Sequence, residues 1–365
     1  MTLVVKLGSS VVVDDAGELR HRVLGNICAQ IDELSREGES IVLVTSGAIA
    51  RGANLLGIER RPRAMDELQA TSAIGQADIF RAYANRLKRR GTKSAQILLS
   101  RSDIENRANY RNILATIERL LKWQIVPIVN ENDTTATDEI NFGDNDFLAA
   151  QIAVLTHARA LVLLTNTDGL YDADPRRDPG ARLIEEVDDF DRLGGIEIGA
   201  DPSRLGRGGM GSKVAAAEMA AKSGVAVVIC NGHRRDVLRR VVAGRPPGTS
   251  FPPARRREKT SVFKLWLKYG TRPVGSLFVD KGAERVLREK GSSLLPVGVV
   301  RSGGKFDAGD VVAVRSAAGG AVIGHGVSEV SSGRLRAIKG KRSGEIKRPA
   351  DKPEEVIHRD RFVLV

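Results

Sequence analysis

Apolar positions along the chain fall into two rhythms. Six short runs rich in Val, Ile and Leu, at residues 3–7, 40–45, 94–99, 125–130, 160–165 and 225–230, are apolar without alternation. That pattern predicts strands covered on both faces, as in a parallel sheet. Between them apolar positions recur every three to four residues. Val23, Ile27, Ile31 and Leu34 share one helical face in 22–36, and Ile113, Ile117, Leu120 and Leu121 share another in 109–122. These stripes are read as core faces. Strand and helix alternate through the first 250 residues, an α/β arrangement with a mainly parallel central sheet between helix layers.

The pattern changes after Gly244. Residues 245–257 hold four prolines and four arginines, and proline denies helix and sheet their amide donors, so this is linker chemistry. Beyond it come brief strand-like runs at 276–279, 297–300, 311–314 and 321–323 among many glycines, with one helical run at 283–290. The division expected is 1–250 for an α/β domain, 251–270 for a linker, and 271–365 for a small β-rich domain with the C-terminal tail. No solenoid-period repeat or coiled-coil heptad is present.

Composition sharpens this division. A chain of 365 residues with 42% hydrophobic content is large enough for more than one core. Residues 251–365 carry 24 Lys+Arg against 12 Asp+Glu, which is the whole net charge of +12, while 1–250 are balanced at 33 and 33. A basic C-terminal domain points either to an anionic partner such as RNA or to a solvated basic face. Its few aromatics (Phe263, Trp266, Tyr269, Phe278, Phe306, Phe362) weigh against base stacking. Cys28 and Cys230 lie 202 positions apart with no companion at metal-ligand spacing, and read as reduced core thiols. The chain opens on a strand pattern without the basic start and apolar core of a signal peptide, and no apolar run reaches membrane-spanning length. A cytoplasmic setting with no membrane partner is expected.

Four segments stand where an α/β sheet places function, in loops after the carboxyl ends of strands. In VVKLGSS (4–10) Lys6 lies inside an apolar strand, followed by a small-residue turn whose amides suit phosphate oxygens. A buried lysine calls for an anion, though a strand-end lysine can also reach solvent. In VTSGAIA (44–50) a strand ends at Ser46-Gly47 and a helix begins, offering free amides to a carboxylate or phosphate. A plain N-cap serine explains Ser46 equally well.

The third segment pairs Asn130-Glu131-Asn132-Asp133 with Gly143-Asp144-Asn145-Asp146. Such clusters hold an amino group, orient a lysine, ligate Mg²⁺, or simply cap turns. The fourth, GRGGMGSK (206–213), opens a helical run. Its spacing is not that of a Walker A loop. The five histidines show no metal spacing and no Gly-x-Ser-x-Gly elbow is present, which removes the usual anchors of metalloenzymes and serine hydrolases.

Taken in order, VVKLGSS, VTSGAIA, VNENDTTAT (129–137), FGDND (142–146), LLTNTDGLYDADP (163–175) and GRGGMGSK resemble the amino acid kinase family. The likeness is greatest to those members that phosphorylate the side-chain carboxylate of L-glutamate with ATP, at the head of proline synthesis. KGSSLLPVGV (290–299) resembles the start of a C-terminal PUA domain, a pseudo-barrel module found in many RNA-modifying enzymes.

The resemblance implies site roles. Lys6 and Lys213 neutralise the transferring phosphoryl group, and Asp146 positions both, with Asp144 a lesser helper. Ser46, Gly47, Asp133 and Asn145 hold glutamate, Asp133 near its α-amino group. Lys6, Gly8 (its amide alongside that of Ser9), Thr165, Asn166, Arg207, Gly208, Gly209, Met210, Gly211, Ser212 and Lys213 line the nucleotide pocket. Mg²⁺ is carried by ATP, with no metal ligand assigned to the protein.

Also implied are feedback inhibition by proline, a homo-oligomer (tetramer or dimer), and a glutamyl phosphate reductase that takes up the labile product. The family commonly has Asp where this chain has Asn166 and Thr where it has Arg207, both on the nucleotide side. Glutamate's carboxyl group, with a pKa of about 4.3, is ionised at neutral pH. The nucleophile therefore needs no general base, and a site without catalytic His or Cys is chemically coherent. Phosphorylation of another carboxylate or carbamate, and RNA binding by the basic domain, are the competing readings.

Overall fold

The computed structural model describes residues 1–58, 60, 62–100, 103–104, 107–135, 144–175, 177–195, 209–254, 264, 267–268, 271, 273–341 and 355–365. The chain forms two compact units, Met1–Lys259 and Thr260–Val365.

The first unit is built on seven strands: β1 (Thr2–Leu7), β2 (Ser40–Val44), β3 (Lys93–Leu99), β4 (Ile125–Glu131), β5 (Ala160–Thr165), β6 (Ala226–Asn231) and β7 (Gly248–Phe251). Their spatial order is β3-β4-β2-β1-β5-β6-β7. The first six are parallel to their neighbours, and β7 runs antiparallel to β6. β1, β2 and β5 are buried along nearly their whole length, which is why they read as unbroken apolar runs rather than alternating ones. From β1 the chain first builds the sheet toward β2, β4 and β3, then crosses to β5 on the other flank. The carboxyl end of β1 is thus a topological switch point, the crevice where open α/β sheets bind ligands.

The helices of this unit among the described residues are α1 (Ser9–Val12), α2 (His21–Arg36), α3 (Ala48–Leu55), α4 (Met65–Lys88), α5 (Arg107–Lys122), α6 (Asp144–Leu155), α7 (Met210–Lys222) and α8 (Val237–Val242). Of the stripe expected in α2, Ile27, Ile31 and Leu34 are buried and Val23 is half-buried against the same core, with Leu24 and Cys28 completing the buried face. α7 is alanine-rich and buries Val214, Ala215, Ala216, Ala217, Met219, Ala220 and Ala221. That leaves little side-chain bulk between it and α6, against which it packs.

α3 and α4 come closer still. A Cβ on Gly52 would sit 1.8 Å from the Thr71 carbonyl oxygen, and one on Gly75 would sit 1.8 Å from that of Ala48. The two backbones touch there with no side-chain layer between them.

The structure corrects the sequence reading in places. Residues 248–251, inside the proline-rich stretch read as linker, form β7. The proline pairs lie just outside the four pairing residues, so no ladder donor is lost. α4, 24 residues long, is missing from the stripes picked out by periodicity. It buries polar Thr71, Ser72 and Gln76 among its apolar positions, which blurs the amphipathic signal.

The second unit is a five-stranded mixed sheet in the order β12-β11-β10-β8-β9. Its strands are β8 (Gly275–Val279), β9 (Val299–Gly303), β10 (Val311–Ser316), β11 (Val322–Val327) and β12 (Phe362–Leu364), with helices α9 (Lys281–Lys290) and α10 (Ser332–Ile338). Leu277, Phe306, Val312, Ile323, Leu335, Val356 and Phe362 belong to its own core. Asp280 caps α9 by accepting from the Ala283 amide at 2.7 Å. The run expected as a strand at 297–300 instead begins as a 3₁₀ turn, Pro296–Gly298, because Pro296 fixes its backbone and lacks an amide donor. Most of the linker, residues 255–263 in particular, lies outside the described residues. No helix among the described residues is long and apolar enough to cross a membrane.

Two measurements test this packing. Gly75→Ala forces a methyl into the Ala48 carbonyl and should lower stability by about 1–3 kcal/mol. Gly25→Ala, inside α2 with nothing within 4 Å of the new Cβ, should raise it by about 0.5–1 kcal/mol. Thermal or urea denaturation decides between them, and equal effects would rule out the backbone contact.

Cys28 and Cys230 are free and buried, and burial pushes each thiol up to about 12 from 9.0. Between these values the folded thiol stays neutral while the unfolded one ionises. Each should therefore cost roughly 1.4 kcal/mol of stability per pH unit as pH rises above 9. Urea midpoints between pH 8 and 11 should fall less steeply in a Cys28→Ala, Cys230→Ala chain.

Candidate active site

The parallel register brings Lys6 level with Val44 of β2 and Leu163 of β5. The segments that follow these strands emerge along one edge of the sheet. There the first turns of α6 and α7 also arrive, carrying Asp146 and Lys213.

These elements assemble a dry ionic cluster. Lys6 Nζ lies 2.6 Å from Asp146 Oδ1, and Lys213 Nζ lies 3.2 Å from Asp146 Oδ2. The Ser212 hydroxyl reaches Asp146 Oδ2 at 3.0 Å and the Gly209 carbonyl at 2.9 Å. Asp146 is 0% exposed, Lys6 4% and Lys213 5%, so the three charges meet out of bulk water, where their interactions are strongest.

Burial opposes the ionised form of Asp146, but the ammonium groups of Lys213 and Lys6 outweigh it and hold its carboxyl below the usual range. For Lys6 burial wins: its pKa lies below 10.5, with Asp146 pulling it up and Lys213 pushing it further down. One carboxylate between two ammonium groups leaves a net positive site, and the N-termini of α6 and α7 add to it. An ammonium carries three donors, so the bond to Asp146 does not exhaust the capacity of Lys6 to meet an anion.

Gly8 follows Lys6 by two residues, and its expected phosphate-facing amide is committed elsewhere. It donates to the Leu164 carbonyl at 3.0 Å, the continuation of the β1–β5 ladder. What this glycine supplies is room, since a Cβ there would lie 3.3 Å from the Leu164 oxygen and 3.9 Å from Lys6 Nζ. Ser46 differs too from its N-cap reading. The residue that caps α3 is Gly47, with φ +94, a left-handed conformation suited to glycine. The Ser46 hydroxyl instead donates across to the Leu7 carbonyl at 3.0 Å, tying the end of β2 to the end of β1.

Beyond β4, Asp133 is partly buried, accepts at Oδ2 from the Ser72 hydroxyl at 2.5 Å, and has its pKa raised by burial against the opposing effect of that bond. Asn130 donates through Nδ2 to Gln76 Oε1. The buried Asn130 Oδ1, Gln76 Nε2 and Asn145 Oδ1 have no hydrogen-bond partner among the described residues. Sequence reasoning missed Ser72 and Gln76. Their only signal was the placing of small and polar residues in the helical run 71–76.

On the other flank, Thr165 ends β5 with its hydroxyl 3.4 Å from Asn166 Oδ1. Next to it, Asp168 Oδ1 accepts from Asn231 Nδ2 at 2.9 Å and Arg234 Nε at 3.0 Å, and Oδ2 accepts from Arg234 Nη2 at 2.6 Å. The Arg234 guanidinium keeps the Asp168 carboxyl below its usual range, pinning the loop after β5 to the end of β6.

Of the expected site residues, Lys6, Asp146, Ser212 and Lys213 are thus brought into direct contact, while Gly209, Met210 and Gly211 lead into them at the start of α7. Arg207, Gly208 and the side chain of Asp144 lie outside the described residues. Among the described residues no group of three or more His, Cys, Asp and Glu side chains could hold a metal ion. A lone carboxylate already bonded by two lysines is a poor Mg²⁺ ligand, whereas Mg²⁺ is readily held by phosphates with few protein groups.

Known proteins can be set beside this geometry. The model of the amino acid kinase family matches residues 1–231, and that of the PUA domain matches residues 275–350. A glutamate 5-kinase of Geobacter metallireducens is 43% identical over 365 residues, covering 100% of this chain and 97% of the relative. One of Burkholderia thailandensis is 44% identical over 369 residues with the same coverage. A solved isopentenyl phosphate kinase aligns with 69% of this chain and 100% of its own at 18% identity and a TM-score of 0.49, a likeness too distant to bear on substrate. With its model matched from the first residue through β6, and full-length relatives above 40% identity, this chain belongs to the amino acid kinase family.

Proposed function

We propose that this chain transfers the γ-phosphoryl group of MgATP to the side-chain carboxylate of L-glutamate, giving L-glutamyl 5-phosphate, the first step of proline synthesis. The observation that carries the proposal is the buried Lys6–Asp146–Lys213 cluster at the switch point of the sheet. It occurs in a chain whose full-length relatives are named glutamate 5-kinases.

The chemistry asks little of acid or base. The glutamate carboxylate is ionised, with a pKa of about 4.3, and its oxygen attacks the γ-phosphorus in line. The bond to the β–γ bridging oxygen breaks, ADP departs, and no proton is transferred. What the protein must supply is alignment and positive charge around the equatorial oxygens. Lys6 and Lys213 supply the charge, and Asp146 keeps the two ammonium groups spaced and oriented before the nucleotide arrives. Mg²⁺, entering with ATP, neutralises phosphate charge.

On the acceptor side Ser46, Gly47, Asp133 and Asn145 hold glutamate. Asp133, whose carboxyl group is held up by burial, gains from an incoming ammonium. Thr165, Asn166 and residues 209–213 face the nucleotide, where Gly8 leaves space beside Lys6.

The same reading includes proline as an inhibitor at the glutamate pocket, a homo-oligomer, a downstream reductase that consumes the acyl phosphate, and a cytoplasmic setting, supported by two free buried thiols. The PUA match, within a region that carries the whole net charge, favours a second and separable role in RNA binding. Such binding should weaken steeply with salt and disappear on deleting residues 271–365.

Two experiments test the kinase reading. Purified protein should release ADP from MgATP in response to L-glutamate, with the product trapped as its hydroxamate. Aspartate, acetylglutamate and carbamate should give far less. Lys6→Ala and Lys213→Ala should each reduce kcat by on the order of 10²–10³, the scale seen when a charge-stabilising donor is removed. Activity on another acceptor but not glutamate would overturn the substrate while leaving the fold intact.

The second experiment reads pH. Lys6 must be protonated to act, so activity should fall on the alkaline side below its ordinary 10.5, in line with its lowered pKa. Asp146→Asn removes the group that raises it, and the alkaline limb of kcat/KM, which reports the free enzyme, should move to lower pH. An unmoved limb would mean that Lys6 is not the titrating group.

A further inference from the structure

Helix α4 turns a polar strip toward the end of β4: Thr71, Ser72 and Gln76 are 2%, 3% and 7% exposed. Thr71 is satisfied within its own helix, its hydroxyl lying 2.8 Å from the Glu67 carbonyl and 3.0 Å from that of Leu68. Ser72 and Gln76, one turn apart on the same face, reach out of the helix instead. Both partners lie at the carboxyl end of β4, Asn130 within the strand for Gln76 and Asp133 just beyond it for Ser72.

Each contact uses one bonding site and leaves another. Ser72 takes Oδ2 of Asp133 at 2.5 Å, within the range of a hydroxyl bonded to a carboxylate, and leaves Oδ1. The amide pair leaves Gln76 Nε2 and Asn130 Oδ1 without partners among the described residues, although both are buried. Unpartnered polar atoms of this kind are costly unless a ligand meets them. No cationic side chain among the described residues is paired with Asp133. The group missing from this wall is an ammonium, with a neighbouring acceptor and donor for the rest of an amino-acid backbone. That match rests on the glutamate-kinase reading above.

We propose that Ser72 is a positioning residue of the acceptor pocket, its hydroxyl holding Oδ2 of Asp133 so that Oδ1 is aimed at the α-ammonium of the amino acid. The Gln76–Asn130 pair fixes α4 to the same strand end, one turn further along. The backbone contact of Gly75 with Ala48 prevents the helix from drifting away.

The test compares L-glutamate with glutarate, which has both carboxylates and no ammonium. In the wild-type chain the KM for glutamate is set against the inhibition constant of glutarate. Ser72→Ala should raise the glutamate KM about tenfold, the loss of one hydrogen bond to a charged group, and change the glutarate constant less than twofold. The tenfold change should sit in KM rather than kcat. In an Asp133→Asn background the same substitution should shift KM less than twofold, because the two residues act as a unit. Both constants come from the same active enzyme, so the ratio is independent of the folded fraction.

Equal weakening of glutamate and glutarate, or full additivity with Asp133→Asn, would overturn the proposal and leave Ser72 a packing residue. A wild-type chain that does not turn over glutamate would instead overturn the kinase reading on which the proposal rests.

Discussion

Two ammonium groups held side by side in a dry pocket repel each other, and Asp146 is what allows Lys6 and Lys213 to coexist. Three separate elements are committed to this one carboxylate. β1 delivers Lys6 from the middle of the sheet, α6 delivers Asp146 on its first turn, and α7 delivers Ser212 and Lys213 on its first turn. The alanine-rich surface of α7 lets the two helix starts approach. Because the ionic cluster forms from the protein's own groups, little reorganisation of charge is left for the moment of reaction, which is the condition under which electrostatic stabilisation is most effective.

The proposed acceptor side is built on a different principle. Hydrogen bonds there join segments rather than charges: Ser46 to the end of β1, Ser72 to Asp133, Gln76 to Asn130. The amides keep bonding capacity, at Gln76 Nε2 and Asn130 Oδ1, that no described residue fills. Phosphoryl chemistry tolerates a generic cationic cradle, whereas choosing one amino acid among many requires buried polar groups that are left unmatched by the wrong one.

Much of this was legible in the sequence for definite reasons. Strands buried on both faces leave continuous apolar runs, and a lysine inside such a run, as at Lys6, signals a paired or functional charge. Short motifs at strand ends then carried the family resemblance. Other features depend on tertiary partners and left weak traces. β7 hides between proline pairs because only its four central residues join the sheet. β12 has three residues and, among the described residues, pairs only with β11. The Ser46 hydroxyl had a local alternative as a helix cap, and only the parallel register with β1 reveals that it reaches across strands. Ser72 and Gln76 sit in a long helix where a polar residue ordinarily means a solvated face. Their partners lie 61 and 54 positions away, beyond any local pattern.

The direct backbone contact between α3 and α4 also limits redesign. Where helices meet through side chains, a pocket can be widened or narrowed by exchanging large and small residues at the seam. At Gly52 and Gly75 there is nothing to exchange: the spacing is already the closest two helices allow, and any added atom only separates them. Protein engineers reshaping this part of the molecule should therefore leave the seam intact and treat the helix pair as a rigid frame.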